Sequence, residues 1–134
     1  HWVRGPFSGV PNLPKNRRLN WVIHNAPEQL DELIVQSDYV MTAFGVSFFE
    51  VLQYGIPTVV FSPYGSKDNK ELDALSKEGV AIVEANPTRA INSLIELMNN
   101  DKLAREYSMN ALRKMSINGV QNLCNEIYSL MGLK

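Results

Sequence analysis

Two apolar runs, separated by a helix-like segment between two glycines, constrain the fold of this 134-residue chain more than any other feature. The first run covers residues 39–44, Tyr-Val-Met-Thr-Ala-Phe, and the second covers residues 57–61, Pro-Thr-Val-Val-Phe. Continuous apolar runs of this length are typical of strands that a parallel sheet buries on both faces. Gly45 precedes the intervening helix and Gly55 ends it, which predicts a strand–helix–strand crossover.

The remainder of the chain continues this alternation of strands and helices. Pro27 suits the first turn of a helix that begins at Ala26, and Glu28 and Asp31 favour the positive end of that helix. Strands are also predicted over residues 2–4, 20–24 and 80–83, and helices over 67–77, 87–99, 101–115 and 119–131. The pattern predicts an α/β fold, in which a Rossmann-like parallel sheet of about five strands carries helices on both faces. We expect residues 1–134 to form one domain.

Apolar side chains at strand or helix spacing define the expected core. Trp2 and Trp21 lie on predicted strands and are expected to be buried. The single cysteine, Cys124, belongs to the apolar pattern of the last helix, so we expect an inert buried thiol rather than a nucleophile. The apolar positions of that helix are Leu123, Ile127, Leu130 and Met131, and Met131 is expected in the core.

Composition and charge exclude several functions. The net charge of −1 gives no overall field that would attract nucleic acid or an anionic membrane, and the basic segment 15–18 is interpreted as a solvated connector. No apolar stretch approaches the ~18 residues of a membrane span, and one cysteine forms no internal disulfide, so a cytoplasmic protein is expected. With only two histidines we expect no zinc site, and no cofactor is expected. The chain lacks an initiator Met, which indicates a piece of a longer protein.

The turn Phe44-Gly45-Val46-Ser47, called the Gly45 loop below, is the strongest candidate site. It follows a parallel strand and opens a helix, and ligands of such sheets bind beyond the carboxyl ends of the strands. Glycine lets the backbone approach a phosphate, while the helix N-terminus supplies free N–H groups and positive potential. The same residues also fit a strand-to-helix turn without any ligand. Tyr64 follows the next strand and is expected at the same edge.

Glu50 and His24 each have two interpretations. Ser47 and Glu50 match an S-x-x-E capping box, in which the glutamate accepts a hydrogen bond from the backbone N–H of Ser47. A carboxylate at this point of the helix is also placed to hold a ribose. His24 ends a strand at the ligand edge, where it is either a packing residue or a base.

Four segments carry a resemblance to a known family: Ser37-Asp38, Thr42–Glu50, Tyr54–Pro57 and Lys67-Asp68. In these segments the chain resembles the C-terminal half of the GT-B glycosyltransferases. The resemblance covers roughly residues 20–86. It is greatest to the group of pseudaminic-acid UDP-sugar hydrolases, spore-coat polysaccharide glycosyltransferase-like proteins and peptidoglycan UDP-GlcNAc transferases. Lys70-Glu71 stand where the peptidoglycan enzymes have paired glutamines, so GlcNAc is not implied. The strand and helix that usually open such a domain are missing ahead of the predicted first strand.

The resemblance implies a domain that binds the nucleotide of a donor sugar, with UDP-sugars as the expected class. By position, the Gly45 loop would receive the diphosphate, and Glu50 would accept hydrogen bonds from the ribose hydroxyls. Asn25-Ala26 would lie beside the base. Tyr64, Lys67-Asp68 and the residues after them would approach the sugar.

Three functions remain as alternatives at this point. The chain is the donor-binding domain of a glycosyltransferase, part of a nucleotide-sugar hydrolase of the same fold, or a non-catalytic α/β module that associates with proteins. In the first two, the acceptor site and any base would lie in an absent N-terminal domain, and this chain alone would be inactive. In the third, the edge left open by the missing strand would pair with a partner or with a second copy.

Overall fold

The computed structural model describes residues 1–13, 20–115 and 119–132. The chain divides into two compact units, His1–Leu33 and Ile34–Lys134. The single domain expected over residues 1–134 stays a prediction. The basic segment 15–18, interpreted as a connector, lies outside the described residues.

The first unit is built on two short parallel strands, β1 (Trp2–Arg4) and β2 (Ile23–Asn25). The prediction that Trp2 and Trp21 are buried is wrong. They are 39% and 36% exposed, and their rings meet edge to face with centroids 6.4 Å apart. A sheet of two strands offers too little surface to bury two indole rings, and such a sheet is marginal without further packing.

The helix predicted from Ala26-Pro27 begins five residues later. It is a short helix, α1 (Asp31–Val35), with Asp31 and Glu32 in its first turn. Ala26 has a φ of 42°, and its N–H donates to the carbonyl of Arg4 at 2.8 Å. A residue held in this left-handed conformation does not start a right-handed helix, so the chain turns before α1.

The second unit contains a three-stranded parallel sheet in the order β3 (Val40–Ala43), β4 (Thr58–Phe61), β5 (Ile82–Glu84). Val60 on the central strand pairs in register with Thr42 on one side and Val83 on the other. The α/β class and the parallel strands are confirmed. The described strands hydrogen-bond as two sheets, of two and three strands.

Most helices of the second unit lie within two residues of their predicted bounds. The helix expected over 67–77 also meets this limit, although a 3-10 turn over Gly65–Asp68 precedes its α-helical part. The α-helices are α2 (Val46–Gln53), α3 (Asn69–Glu78), α4 (Pro87–Met98), α5 (Asp101–Lys114) and α6 (Gly119–Leu130). Among the described residues, no helix combines the length and apolar character needed to cross a membrane.

The core lies on both faces of β4, because neighbouring residues of a strand point to opposite sides. Val60 packs with Phe48 and Leu52 of α2, Leu72 of α3 and Ala111 of α5. On the opposite face, Val59 packs with Ala90 and Leu97 of α4 and Ala104 of α5. The sheet is therefore enclosed by helices, and the carboxyl ends of β3, β4 and β5 share one edge.

The burial predicted for Cys124 and the core position predicted for Met131 on the last helix are wrong. None of the residues of α6 is buried, and Cys124 is half-buried rather than enclosed. Leu123 is 61% exposed and Ile127 45% exposed, and Leu130 and Met131 are exposed further. An apolar periodicity predicts an amphipathic helix correctly, but it does not say what covers the apolar face.

Candidate functional site

The Gly45 loop lies at the edge formed by the carboxyl ends of the strands. The N–H of Phe44 donates to the carbonyl of Phe61 at 2.8 Å, which extends the pairing of β3 with β4 by one residue. Gly45 then adopts an extended conformation, and α2 starts directly at Val46. The loop is thus a tight connection between a buried strand and a helix, as the sequence predicts.

Three consecutive backbone N–H groups at the start of α2 are open. Those of Gly45, Val46 and Ser47 have no acceptor in the described part of the chain. The first donor of the helix that finds one is Phe48, whose N–H donates to the Gly45 carbonyl at 3.2 Å. Gly45 and Val46 are exposed to solvent. Open N–H groups at the positive end of a helix are suited to hold an anion.

The fold does not require glycine at position 45. Its φ of 165° is extended backbone that other residues adopt, and a Cβ added there would meet no atom within 4 Å. Gly55 differs, because its φ is +67° and an added Cβ would lie 2.5 Å from Cγ of Leu112. At position 45 the absence of a side chain instead leaves the open N–H groups accessible at close range.

The capping-box interpretation of Glu50 is wrong. Gly45 is the N-cap of α2 and no side chain of the described residues caps this helix, so Ser47 lies inside the first turn. A helix that starts at Val46 leaves Ser47 in the wrong position to act as a cap. Glu50 is half-buried, and its carboxylate makes no hydrogen bond or ion pair with the described residues. Its acceptor atoms are therefore available to a ligand.

The turn after β4 is held by a small hydrogen-bonded network. The hydroxyl of Ser62 donates to Asp68 Oδ2 at 2.6 Å and accepts from the Tyr64 N–H at 3.0 Å. Gly65 has a φ of +66°, which opens the 3-10 turn. Asp68 thus has a structural partner inside the turn, whereas the side chains of Tyr64 and Lys67 are exposed.

A cavity of about 400 Å³ lies beside this turn, between the carboxyl ends of β4 and β5. Glu84 at its wall accepts from the Ser93 hydroxyl at 2.6 Å and pairs with Nε of Arg89 at 3.2 Å. The remaining polar lining comes from Ser62, Ser66, Asn69 and Asp73. Ser62 and Glu84 follow predicted strands and were expected at this edge, whereas Ser66, Asn69 and Asp73 were not, although the spacing of Asn69 and Asp73 places both on one face of α3.

A second cavity, of about 470 Å³, opens at the opposite edge of the sheet. Tyr39 and Pro57, which precede β3 and β4, line it together with Asp101 and Arg105 of α5. None of the predicted site residues lines this cavity. The predicted sites of the second unit therefore all belong to the carboxyl edge.

The predicted site residues of the first unit lie at the end of β2. Asn25 and Ala26 are exposed, and the Ala26 N–H is already bonded to Arg4. His24 Nε2 lies 2.9 Å from His1 Nδ1, and the two rings stack with centroids 5.0 Å apart. The structure thus gives His24 the packing contact that was one of its two interpretations, with a partner, His1, that the sequence did not indicate.

Among the described residues, the two groups with a shifted pKa lie outside the carboxyl edge of the three-stranded sheet. A hydrogen bond from Lys114 lowers the pKa of Glu78, and burial beside Glu106 raises the pKa of Tyr107, but these groups lie on α3 and α5, away from the Gly45 loop. Within the described ranges, no three His, Cys, Asp or Glu side chains lie together in a way that would hold a metal ion. Comparison of the chain with known protein families and with curated proteins finds no match.

Proposed function

We propose that this chain is the donor-binding domain of a glycosyltransferase and holds a nucleoside diphosphate sugar, with UDP-sugars as the first class to test. The proposal rests on two features that occur together on α2. Three open N–H groups lie in the Gly45 loop, and the Glu50 carboxylate on the same helix has no partner among the described residues. The proposed fold is the Rossmann-like C-terminal half of a GT-B protein.

The geometry of α2 suits a diphosphate joined to a ribose. Val46 and Glu50 are four residues apart, so they lie on the same side of the helix. At a rise of 1.5 Å per residue, Glu50 lies about 6 Å further along the axis than the open N–H groups. A diphosphate at the Gly45 loop then leaves the ribose hydroxyls within reach of the Glu50 carboxylate.

The chemistry proposed for the loop is stabilisation of a leaving group. When the bond between the sugar C1 and the diphosphate oxygen breaks, the nucleoside diphosphate leaves and negative charge develops on it. Fixed N–H groups and the positive end of α2 stabilise that charge without rearrangement. Tyr64, Lys67 and Asp68 are proposed to approach the sugar, and the base contact expected of Asn25-Ala26 stays a prediction. The acceptor and any base would come from another domain, so we expect binding without turnover.

Binding is tested by the thermal unfolding of the whole chain in the presence of UDP, TDP, GDP or CMP. A ligand that binds only the folded state raises the melting temperature by mass action. The proposal expects one nucleotide to stabilise the chain more than the others at millimolar concentration. Equal melting temperatures with all four and without nucleotide would favour the protein-association module instead.

Glu50→Gln tests the ribose contact. Because no cap is lost, the free energy of unfolding should remain unchanged, while the affinity for UDP should fall by more than about 1 kcal/mol, the scale of a charged hydrogen bond. Calorimetric titration measures the affinity and urea denaturation measures the stability. Glu96→Gln, which changes an exposed carboxylate on α4, is the matched control. Equal UDP affinity in the two variants removes Glu50 from the site.

A further inference from the structure

The last helix presents a continuous apolar face to solvent. Val120 is 79% exposed, Leu123 61%, Ile127 45% and Leu130 80%, and no residue of α6 is buried. Exposed apolar side chains are ordinary when they are scattered singly. A contiguous row of large ones instead indicates a surface that another molecule covers.

The spacing of this row is that of a helix-pairing seam. Val120, Leu123, Ile127 and Leu130 follow each other at intervals of three, four and three residues, which is the a/d pattern of a heptad. We call these four residues the α6 seam. The opposite face is polar, and there the Gln121 amide donates to Asn125 Oδ1 at 3.0 Å. The helix thus has one face suited to water and one suited to a second apolar helix.

The charges of α6 exclude two kinds of occupant. Residues 119–132 contain one charged side chain, Glu126, and no lysine or arginine. Helices that lie on a membrane surface carry basic residues on their polar face, and nucleic-acid contacts need basic residues as well. An uncharged seam suits another uncharged seam, which two copies of the same helix provide.

We infer that two copies of this chain associate through the α6 seam about a two-fold axis. In such an interface the same surface faces itself, so the seam needs no complement elsewhere on the molecule. Covering four seam residues and the adjacent Met131 on both copies removes on the order of 1,000 Å² from solvent, the lower bound for a specific interface. The dimer should therefore be weak and dependent on concentration.

The oligomeric state of the whole chain tests this inference. Sedimentation velocity over a range of protein concentrations should show a monomer–dimer equilibrium. Leu123→Asp and Ile127→Asp should each weaken the dimer at least about tenfold, because a charge in a covered seam loses its hydration without a partner. Ser129→Asp places the same charge on the polar face and should leave the equilibrium unchanged. Circular dichroism confirms that all three variants remain folded.

Cross-linking provides a second measurement that does not depend on the aspartate variants. Cys124 is the only cysteine and follows Leu123 beside the seam, so a short bismaleimide should link two chains of the unmodified protein. The double variant Cys124→Ser, Ser129→Cys moves the thiol to the polar face and should link poorly. A monomer at every concentration overturns the inference. A monomer in which Leu123→Asp lowers the melting temperature also overturns it, since the seam then packs within its own chain.

Discussion

At the scale of single residues, three glycines can be compared to tell whether glycine is needed for folding or for ligand binding. Gly65→Ala should cost about 1–2 kcal/mol, because its φ of +66° is left-handed but its surroundings are open. Gly55→Ala should cost more, since the added Cβ also meets Leu112. Gly45→Ala should leave stability unchanged, because neither penalty applies there. Urea denaturation with a constant m-value ranks the three.

The same series links stability to ligand binding. A methyl group at position 45 adds bulk to the loop that carries the open N–H groups, so Gly45→Ala should weaken UDP binding although the fold is unaffected. Gly65→Ala should show the reverse, a loss of stability with a smaller effect on UDP affinity. If Gly45→Ala destabilises the chain as much as Gly65→Ala does, glycine is needed at position 45 for the strand-to-helix turn. The proposed reason for it, access to the open N–H groups, is then wrong.

At the scale of elements, the start of α4 depends on a single side chain. The Asn86 side chain accepts from the Arg89 N–H at 3.0 Å, and Pro87 occupies the first turn. Asn86→Ala should cost about 1 kcal/mol of stability, the usual value of such a cap. Asn92→Ala changes an exposed residue of the same helix and should be neutral. Urea midpoints that are equal for the two variants would show that the cap contributes nothing.

Elements with strong local signals could be predicted from the sequence, and those without them could not. The apolar runs predicted β3 and β4, and Gly55 predicted the end of α2, because these signals act on the residues beside them. The start of α1 was missed, since nothing in the sequence marks the left-handed Ala26. The position of the Glu84 carboxylate could not be predicted either, because the hydroxyl of Ser93 that holds it is brought near by the packing of α4 on β5.

The candidate site could also be predicted only where the signal is local. The Gly45 loop lies where the sequence predicts, because strand, turn and helix follow one another directly. The capping box was wrong although its motif was present, because α2 starts at Val46 and not after Ser47. A shift of two residues in a helix start leaves the sequence pattern unchanged and removes the capping interpretation of Glu50.

At the scale of the whole molecule, the two compact units differ in what holds them together. In the second unit β4 is enclosed by helices, and Thr58, Val59 and Val60 have no exposed surface. In the first unit the strands form a two-stranded sheet whose large apolar side chains, among them Trp2 and Val3, remain exposed. Burial of apolar surface is the main stabilising contribution to folding, so the two units should differ in local stability.

Amide hydrogen exchange tests this difference directly. Amides of β4 should exchange only through the largest opening of the molecule, whereas those of β1 and β2 should exchange at least about tenfold faster through local opening. Peptides covering Thr58–Phe61 and Ile23–Asn25, compared by mass spectrometry, provide the measurement. Equal protection would mean that both units open together as one cooperative domain. In that case the exposed tryptophans do not weaken the first unit, and its strands are stabilised as strongly as the enclosed sheet.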